Sequence, residues 1–284
     1  MRHYKYNLTP LREFWNSYKR SKAGVISLFV IAFLAIVAIL APLISPYTTT
    51  NISAEAFEVP SAAHILGTDQ LGRDMFTLVV WGGRTSLEIG LIAAIISTAF
   101  GTLVGGFAAY YGGWVDTILM RGTDAMLVIP TFFLALIVAF VWGGSVQNLI
   151  IIIGLTIWPT TARIVFAQVL SVKKFDFVES ARAVGASDLR ILFRHVLPNS
   201  ISPIIVSIAF SAAGAMLTES YLSFLGAGDP SAITWGTLLY EAVFDLRAWW
   251  LIAYPGIALA AAVVAFNMIG QTTSQALDPR RRGL

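Results

Sequence analysis

Gly24 to Ser45 is a run of 22 residues without a charge, and a bilayer core asks for about 20. Five further apolar runs follow it, at 86–110, 125–142, 149–168, 201–225 and 251–271. In lipid a backbone has no water to bond with, so runs of this length must satisfy their own N–H and C=O groups as helices. That feature sets the expected fold class: an all-α polytopic membrane protein with six transmembrane helices. Composition agrees, since 57% of the residues are hydrophobic and 12% charged, outside the range of soluble domains. The chain has no cysteine, which excludes disulfides and thiolate metal sites. Its net charge of +3 does not point to nucleic acid.

The runs divide the chain. Residues 1–23 are expected to hold a helix lying in the membrane interface, because Leu11, Phe14, Trp15 and Tyr18 share one helical face among six basic residues. The long polar and aromatic stretch ahead of the first run is unlike a cleavable signal peptide, so 24–45 is expected to stay as the first span. Pro42 and Pro46 close it, and a loop follows at 46–84. Within that loop Gly67 to Asp74 reads as a defined turn seating the second span. Residues 85–275 hold the other five spans as one domain, and 276–284 form a tail. Gly101 and Gly105 have the spacing that admits a neighbouring helix. Residues 111–124 read as a polar turn, Pro130 lies near the start of the third span, and Trp235, Leu238, Leu239 and Ala242 suggest a short amphipathic helix in the 226–250 loop.

Six spans leave both termini on one side. Of the 19 lysines and arginines, 16 fall in the N-terminal segment, the turn after the second span, the stretch from Arg163 through the central segment, and the tail. Arg73, Arg84 and Arg247 fall on the opposite face. The positive-inside rule then expects both termini and the central segment in the cytoplasm of a cell-membrane protein.

The chemistry that is missing narrows the function. There is no G-x-x-x-x-G-K-[ST] and no Gly-Lys pair, so the chain has no P-loop for ATP. There is no H-E-x-x-H, and His3, His64 and His195 lie in separate segments. No catalytic residue, cofactor or metal site is expected. Energy for transport has to come from another subunit or from an ion gradient. Ionisable residues in spans are costly and so become functional candidates; here they are Glu88, Asp124, Arg163 and Glu219. Glu219 and Asp124 are the candidates for a substrate pathway. For Glu219 the reading that stands first is still a carboxylate that only fixes packing, and for Glu88 and Arg163 that reading stands further ahead. No chain of acids and histidines runs through the spans, which weighs against an ion-coupled secondary transporter. That transporter remains the alternative class, beside a scaffold that moves nothing.

The central segment, Val172 to Ser200, is the longest charged stretch. Phe177 to Val184 holds good helix formers, with Glu179 three residues before Arg182 on a neighbouring position of one face. Gly185 fits a C-terminal stop, and Ser187-Asp188 fits the cap and acidic first turn of a second helix. That helix is expected to end at Leu197-Pro198.

Glu179-Ser180-Ala181, Gly185 and Leu197-Pro198 resemble the E-A-A signature of ABC-transporter permeases, departing from it at Ser180 and His195. Around it the stretches GTDQLGRD, GGRTSL, YYGGWVD, ESARAVGASDLRILFRHVLPN, LSFLG and ALDPR look like the peptide/nickel branch of that family, over most of residues 64 to 282. The resemblance implies a type I ABC importer permease whose central segment is a cytoplasmic coupling helix pair. Glu179, Ala181, Arg182, Ala183, Gly185, Asp188, Leu197 and Pro198 would couple it to an ATPase, with Ala181 and Ala183 small enough for close docking. The partners implied are a second homologous permease, two ATP-binding cassette ATPases and an extracytoplasmic solute-binding protein. Di- and oligopeptides are the implied cargo, with oligosaccharides or nickel as alternatives.

Overall fold

The computed structural model describes residues 9–52, 54–245 and 248–277. Arg2, Lys5, Arg247 and the tail from Asp278, with Arg280, Arg281 and Arg282, lie outside them. Ser21 separates the first two helices, α1 (Thr9–Lys19) and α2 (Lys22–Ile39), and its Oγ caps α2 by accepting from Gly24 N at 3.1 Å. α1 is the helix expected there. It packs on the far end of the last helix, beside the contact of Ser21 Oγ with Thr272 Oγ1 at 3.3 Å. α2 is the first span and gives way at Pro42 to the single turn α3 (Ala41–Ile44).

The 64–74 loop is tied together by its own side chains. Asp69 accepts from Leu71 N at 2.9 Å and Arg73 N at 2.8 Å, and it pairs with Arg73 Nε at 2.5 Å. His64 Nδ1 lies 3.0 Å from one Asp74 oxygen, while the other accepts from Thr77 N at 2.8 Å as the cap of α4 (Met75–Tyr111). α4 therefore begins at Met75, well before Ser86, the expected start of the second span. A capped helix runs on past the membrane edge as readily as within it.

Two expectations need correction in the next stretch. Residues 111–124 are not a turn, since α5 (Gly113–Val128) is helical through Asp116, Arg121 and Asp124. Those charges lower hydropathy without opposing helix formation. The third span is then broken: Ile129 is extended ahead of Pro130, as a residue before proline must be, and α6 (Thr131–Trp142) leaves at 84° to α5.

The fourth span is α7 (Val146–Thr156) continued by α8 (Trp158–Val172). The central segment follows as α9 (Asp176–Ala183), α10 (Asp188–Ile191), a π-turn over Leu192–Val196 and the short α11 (Leu197–Asn199). Here too the expected boundary moves, because the chain stays helical through Pro198. Leu197 N reaches back five residues to Leu192 O, and the wider turn makes room for a ring that has no N–H. Two carbonyls of this stretch accept from side chains, His195 O from Asn199 Nδ2 at 2.6 Å and Val196 O from Ser200 Oγ at 2.9 Å. The fifth span α12 (Ile201–Phe224), the predicted short helix α13 (Trp235–Ala242) and the sixth span α14 (Trp250–Leu277) complete the fold.

Among the described residues five helices are long and apolar enough to cross a membrane, six if the bent α5–α6 pair counts as one. They stand around α4, which packs on α8, α12, α7 and α2. Gly101 and Gly105 make the α4–α8 approach possible, as their spacing predicts. A Cβ on Gly101 would lie 2.8 Å from Trp158 O, and one on Gly105 would press on the Ala162 carbonyl.

Candidate functional site

The central segment is folded on itself before it is held to the spans. Val184 caps α9, Gly185 takes φ +81°, Gly185 N donates to Arg182 O at 3.0 Å and Ala186 N to Ala181 O at 3.1 Å. This paired closure is a Schellman motif, and its left-handed position is where glycine avoids the Cβ penalty. Beneath it Val178, Ile191, Leu192 and Val196 pack against Val165, Val169 and Val172 of α8 and Ala109 and Tyr110 of α4. Polar bonds pin the same contact. Tyr110 OH donates to Asp188 Oδ1 at 2.8 Å, Arg182 lies at the same cleft as Tyr110, and Lys173 Nζ donates to Ala109 O at 2.6 Å and Tyr110 O at 3.3 Å. Sequence reasoning missed Lys173 and Tyr110. The signal available was a cation just past one helix and an aromatic closing another, but nothing local joins them.

The predicted coupling residues separate into two groups. Glu179, Ala183 and Gly185 face outward, next to an exposed apolar rim in which Val184 is 85% and Leu189 54% accessible. Ala181 does not share that surface: it is half-buried against the core under the segment. Its small size serves packing within the chain. Asp188 bonds to Tyr110 with Arg182 at the same cleft, Leu197 packs inward, and Pro198 lies on the exposed side of the turn into α12.

A cavity of about 850 Å³ opens between α8, α12 and α14, with Thr131 of α6 at its edge. One stripe of α12 lines it, including Ser202, Ser207, Ser211, Gly214 and Thr218, and from α8 come Thr160 and Thr161. Ser207 and Thr218 return their protons to the carbonyls of Pro203 and Gly214, one turn back. Hydroxyls of the spanning helices thus line part of this void.

The candidate acids sit elsewhere. Glu219 is fully buried and is absent from the cavity lining; its oxygens face Ser223 Oγ at 2.8 Å, Ser220 Oγ at 3.4 Å and Thr234, the cap of α13. Asp124 pairs with Arg163 Nη2 at 2.6 Å, each side chain about half exposed, and so ties α5 to α8 outside the lining. Glu88 is exposed on α4.

A set of spanning helices around a hydroxyl-lined void, with a braced helix pair at its base, defines a multi-pass membrane permease. Residues 101–283 match the family of binding-protein-dependent transport system inner membrane components, and residues 9–60 match the N-terminal transmembrane domain of oligopeptide transport permease C. The chain is 38% identical to the dipeptide transport system permease protein DppC of Alkalihalophilus pseudofirmus, over 97% of this chain and 91% of that one. It is 37% identical to DppC of Haemophilus influenzae, over 96% and 95%, and 38% identical to the glutathione transport system permease protein GsiD of Pectobacterium atrosepticum, over 96% and 92%. The inward-facing MetNI methionine ABC transporter shares the fold, with a TM-score of 0.61 at 16% identity over 72% of this chain and 98% of that chain. The chain belongs to the binding-protein-dependent transport system inner membrane component family, the permease subunits of ABC importers. Permeases of this class work with ATPase and solute-binding partners.

Proposed function

We propose that this chain forms half of the translocation path for di- and oligopeptides, beside a second homologous permease. Two ATP-binding cassette ATPases energise it, and an extracytoplasmic solute-binding protein delivers the cargo. The relatives at 37–38% identity are named for dipeptide or glutathione transport, which supports the peptide reading. The single observation that carries the coupling role is the bracing of the central segment. Its helices share one core and a set of charged bonds with the ends of α4 and α8, so a push on the exposed rim around Val184 and Leu189 is passed into the spans and not absorbed locally. In this reading Glu179, Ala183 and Gly185 meet the ATPase, while Ala181, Arg182, Asp188, Leu197 and Pro198 transmit. Both termini and the segment lie in the cytoplasm, in keeping with the distribution of lysine and arginine. Glu219 positions α13 behind the path wall, and Asp124 holds the broken span to α8.

The test is co-purification followed by transport. The chain is expressed with its chromosomal neighbours, pulled down, and reconstituted in liposomes with the co-purifying binding protein. A second permease and two ATPases in the complex, with ATP-dependent uptake of labelled dipeptide, are expected. Purification as a lone chain with gradient-driven uptake would restore the ion-coupled alternative. ATP-driven uptake of an oligosaccharide or of nickel in place of peptide would keep the importer and remove the peptide assignment.

A further inference from the structure

The cavity is mainly apolar, with neutral polar groups set among isoleucine, valine, phenylalanine and proline side chains. Among the described residues that line it there is no Asp, Glu, Lys, Arg or His. Its polar groups include Thr131 on α6, Thr160 on α8, Ser202 and Ser211 along α12, and Gln275 on α14, while Thr218, whose proton is held by Gly214 O, offers only its oxygen as an acceptor. Among the described residues the one ion pair tied to these helices, Asp124 with Arg163 at 2.6 Å, stays out of the lining.

A hydroxyl both donates and accepts. It therefore serves a peptide N–H and a peptide C=O equally, and these are the two groups every peptide repeats whatever its side chains. From Ser202 to Thr218 the stripe covers about 24 Å of helix axis, the length of roughly seven extended residues. A fixed charge in a void of this size would behave otherwise. Across the width of the cavity, at an effective dielectric well below that of water, it would attract one sign of side chain and repel the other.

Resting on the peptide reading above, we propose that this half of the path is a charge-indifferent, main-chain-binding surface. Ser211, half-buried midway along the stripe, is a residue whose neutrality sets that indifference. Peptides of either net charge pass it at similar rates, and any charge preference of the transporter arises outside this lining.

The test uses the whole transporter in proteoliposomes with Ala-Ala-Ala, Ala-Lys-Ala and Ala-Glu-Ala, each at a concentration saturating for the binding protein. Uptake of the charged peptides is normalised to Ala-Ala-Ala in the same variant. In the wild type the Lys-to-Glu ratio stays within about threefold of one, and a larger ratio overturns the proposal. Ser211→Asp raises the ratio about tenfold or more, equivalent to about 1.4 kcal/mol, Ser211→Lys lowers it, and Ser211→Asn leaves it in place. Thr160→Asp, on an exposed lining position of α8, repeats the test where no repacking is needed. A ratio unmoved by either aspartate, in a transporter that carries all three peptides, overturns the proposal alone. A wild-type complex that carries none of them overturns the peptide reading along with it.

Discussion

Lys173 Nζ donates to the carbonyl oxygen of Ala109 at 2.6 Å, tying the residue just past α8 to the last turn of α4. A cation at a helix C-terminus answers both the unpaired carbonyls and the negative end of the helix dipole. Hydrogen bonds of this charged kind contribute about 1.5–3 kcal/mol. Lys173→Met keeps the apolar stem and removes the ammonium. The expected result is a permease that still assembles but moves several-fold fewer peptides per ATP, with Lys173→Arg recovering most of the loss. Wild-type coupling in Lys173→Met, measured as uptake and hydrolysis in one preparation, would remove the brace from the mechanism.

Gly185 has φ +81° and open space around it, so a side chain there meets no neighbour and acts through the backbone alone. The left-handed conformation costs a β-branched residue about 1–2 kcal/mol, and asparagine much less. Gly185→Val is expected to uncouple ATP hydrolysis from uptake while the protein remains in the membrane, and Gly185→Asn to retain coupling. If both behave alike, the conformation is not what matters at this position.

Gly105 and Gly122 form a matched pair for thermal unfolding in detergent. A Cβ on Gly105 would press on the Ala162 carbonyl, with Ala162 C and Phe166 N both at 3.0 Å, whereas nothing lies within 4 Å of Gly122. Gly105→Ala should destabilise by about 1–3 kcal/mol as α4 and α8 are forced apart. Gly122→Ala, inside α5, should be neutral or stabilising by up to about 1 kcal/mol. The opposite order would contradict the close approach of α4 and α8.

Glu219→Ala strips Ser223 and Ser220 of a buried acceptor, a loss on the order of 1–3 kcal/mol. Its expected signature is a lower melting temperature with the order of peptide preference unchanged. A changed preference at unchanged stability would return Glu219 to the path.

Glu241 lies beyond the spans, in α13. Burial holds its carboxyl above the usual range, although Arg73, whose Nη2 donates to it at 2.8 Å, pulls the other way. The folded state therefore binds this proton more tightly than the unfolded chain. Its stabilising contribution is complete below the ordinary glutamate value and fades as pH rises through the raised one. Glu241→Gln should flatten that part of the pH dependence of the melting temperature between neutral and mildly acidic pH. A wild-type slope retained in the variant would assign the effect to another group.

The sequence by itself determined the spans, since lipid imposes its demand on every residue of a run and leaves it readable without neighbours. Gly24 to Ser45 needed no partner to be recognised, and neither did the stop at Gly185, because a helix terminus is built from residues a few positions apart. Only the tertiary structure decided which faces of those helices meet. A helix apolar all round carries no periodic mark of its buried side, so the stripe from Ser202 to Thr218 and the burial of Glu219 were not legible. The 84° break at Pro130, where the residue ahead of proline is extended, and the π-turn before Pro198, which lacks an N–H, took their shape only in three dimensions. Lys173 and Ala109 stand 64 positions apart, and no local pattern joins them; the packing of α8 on α4 does.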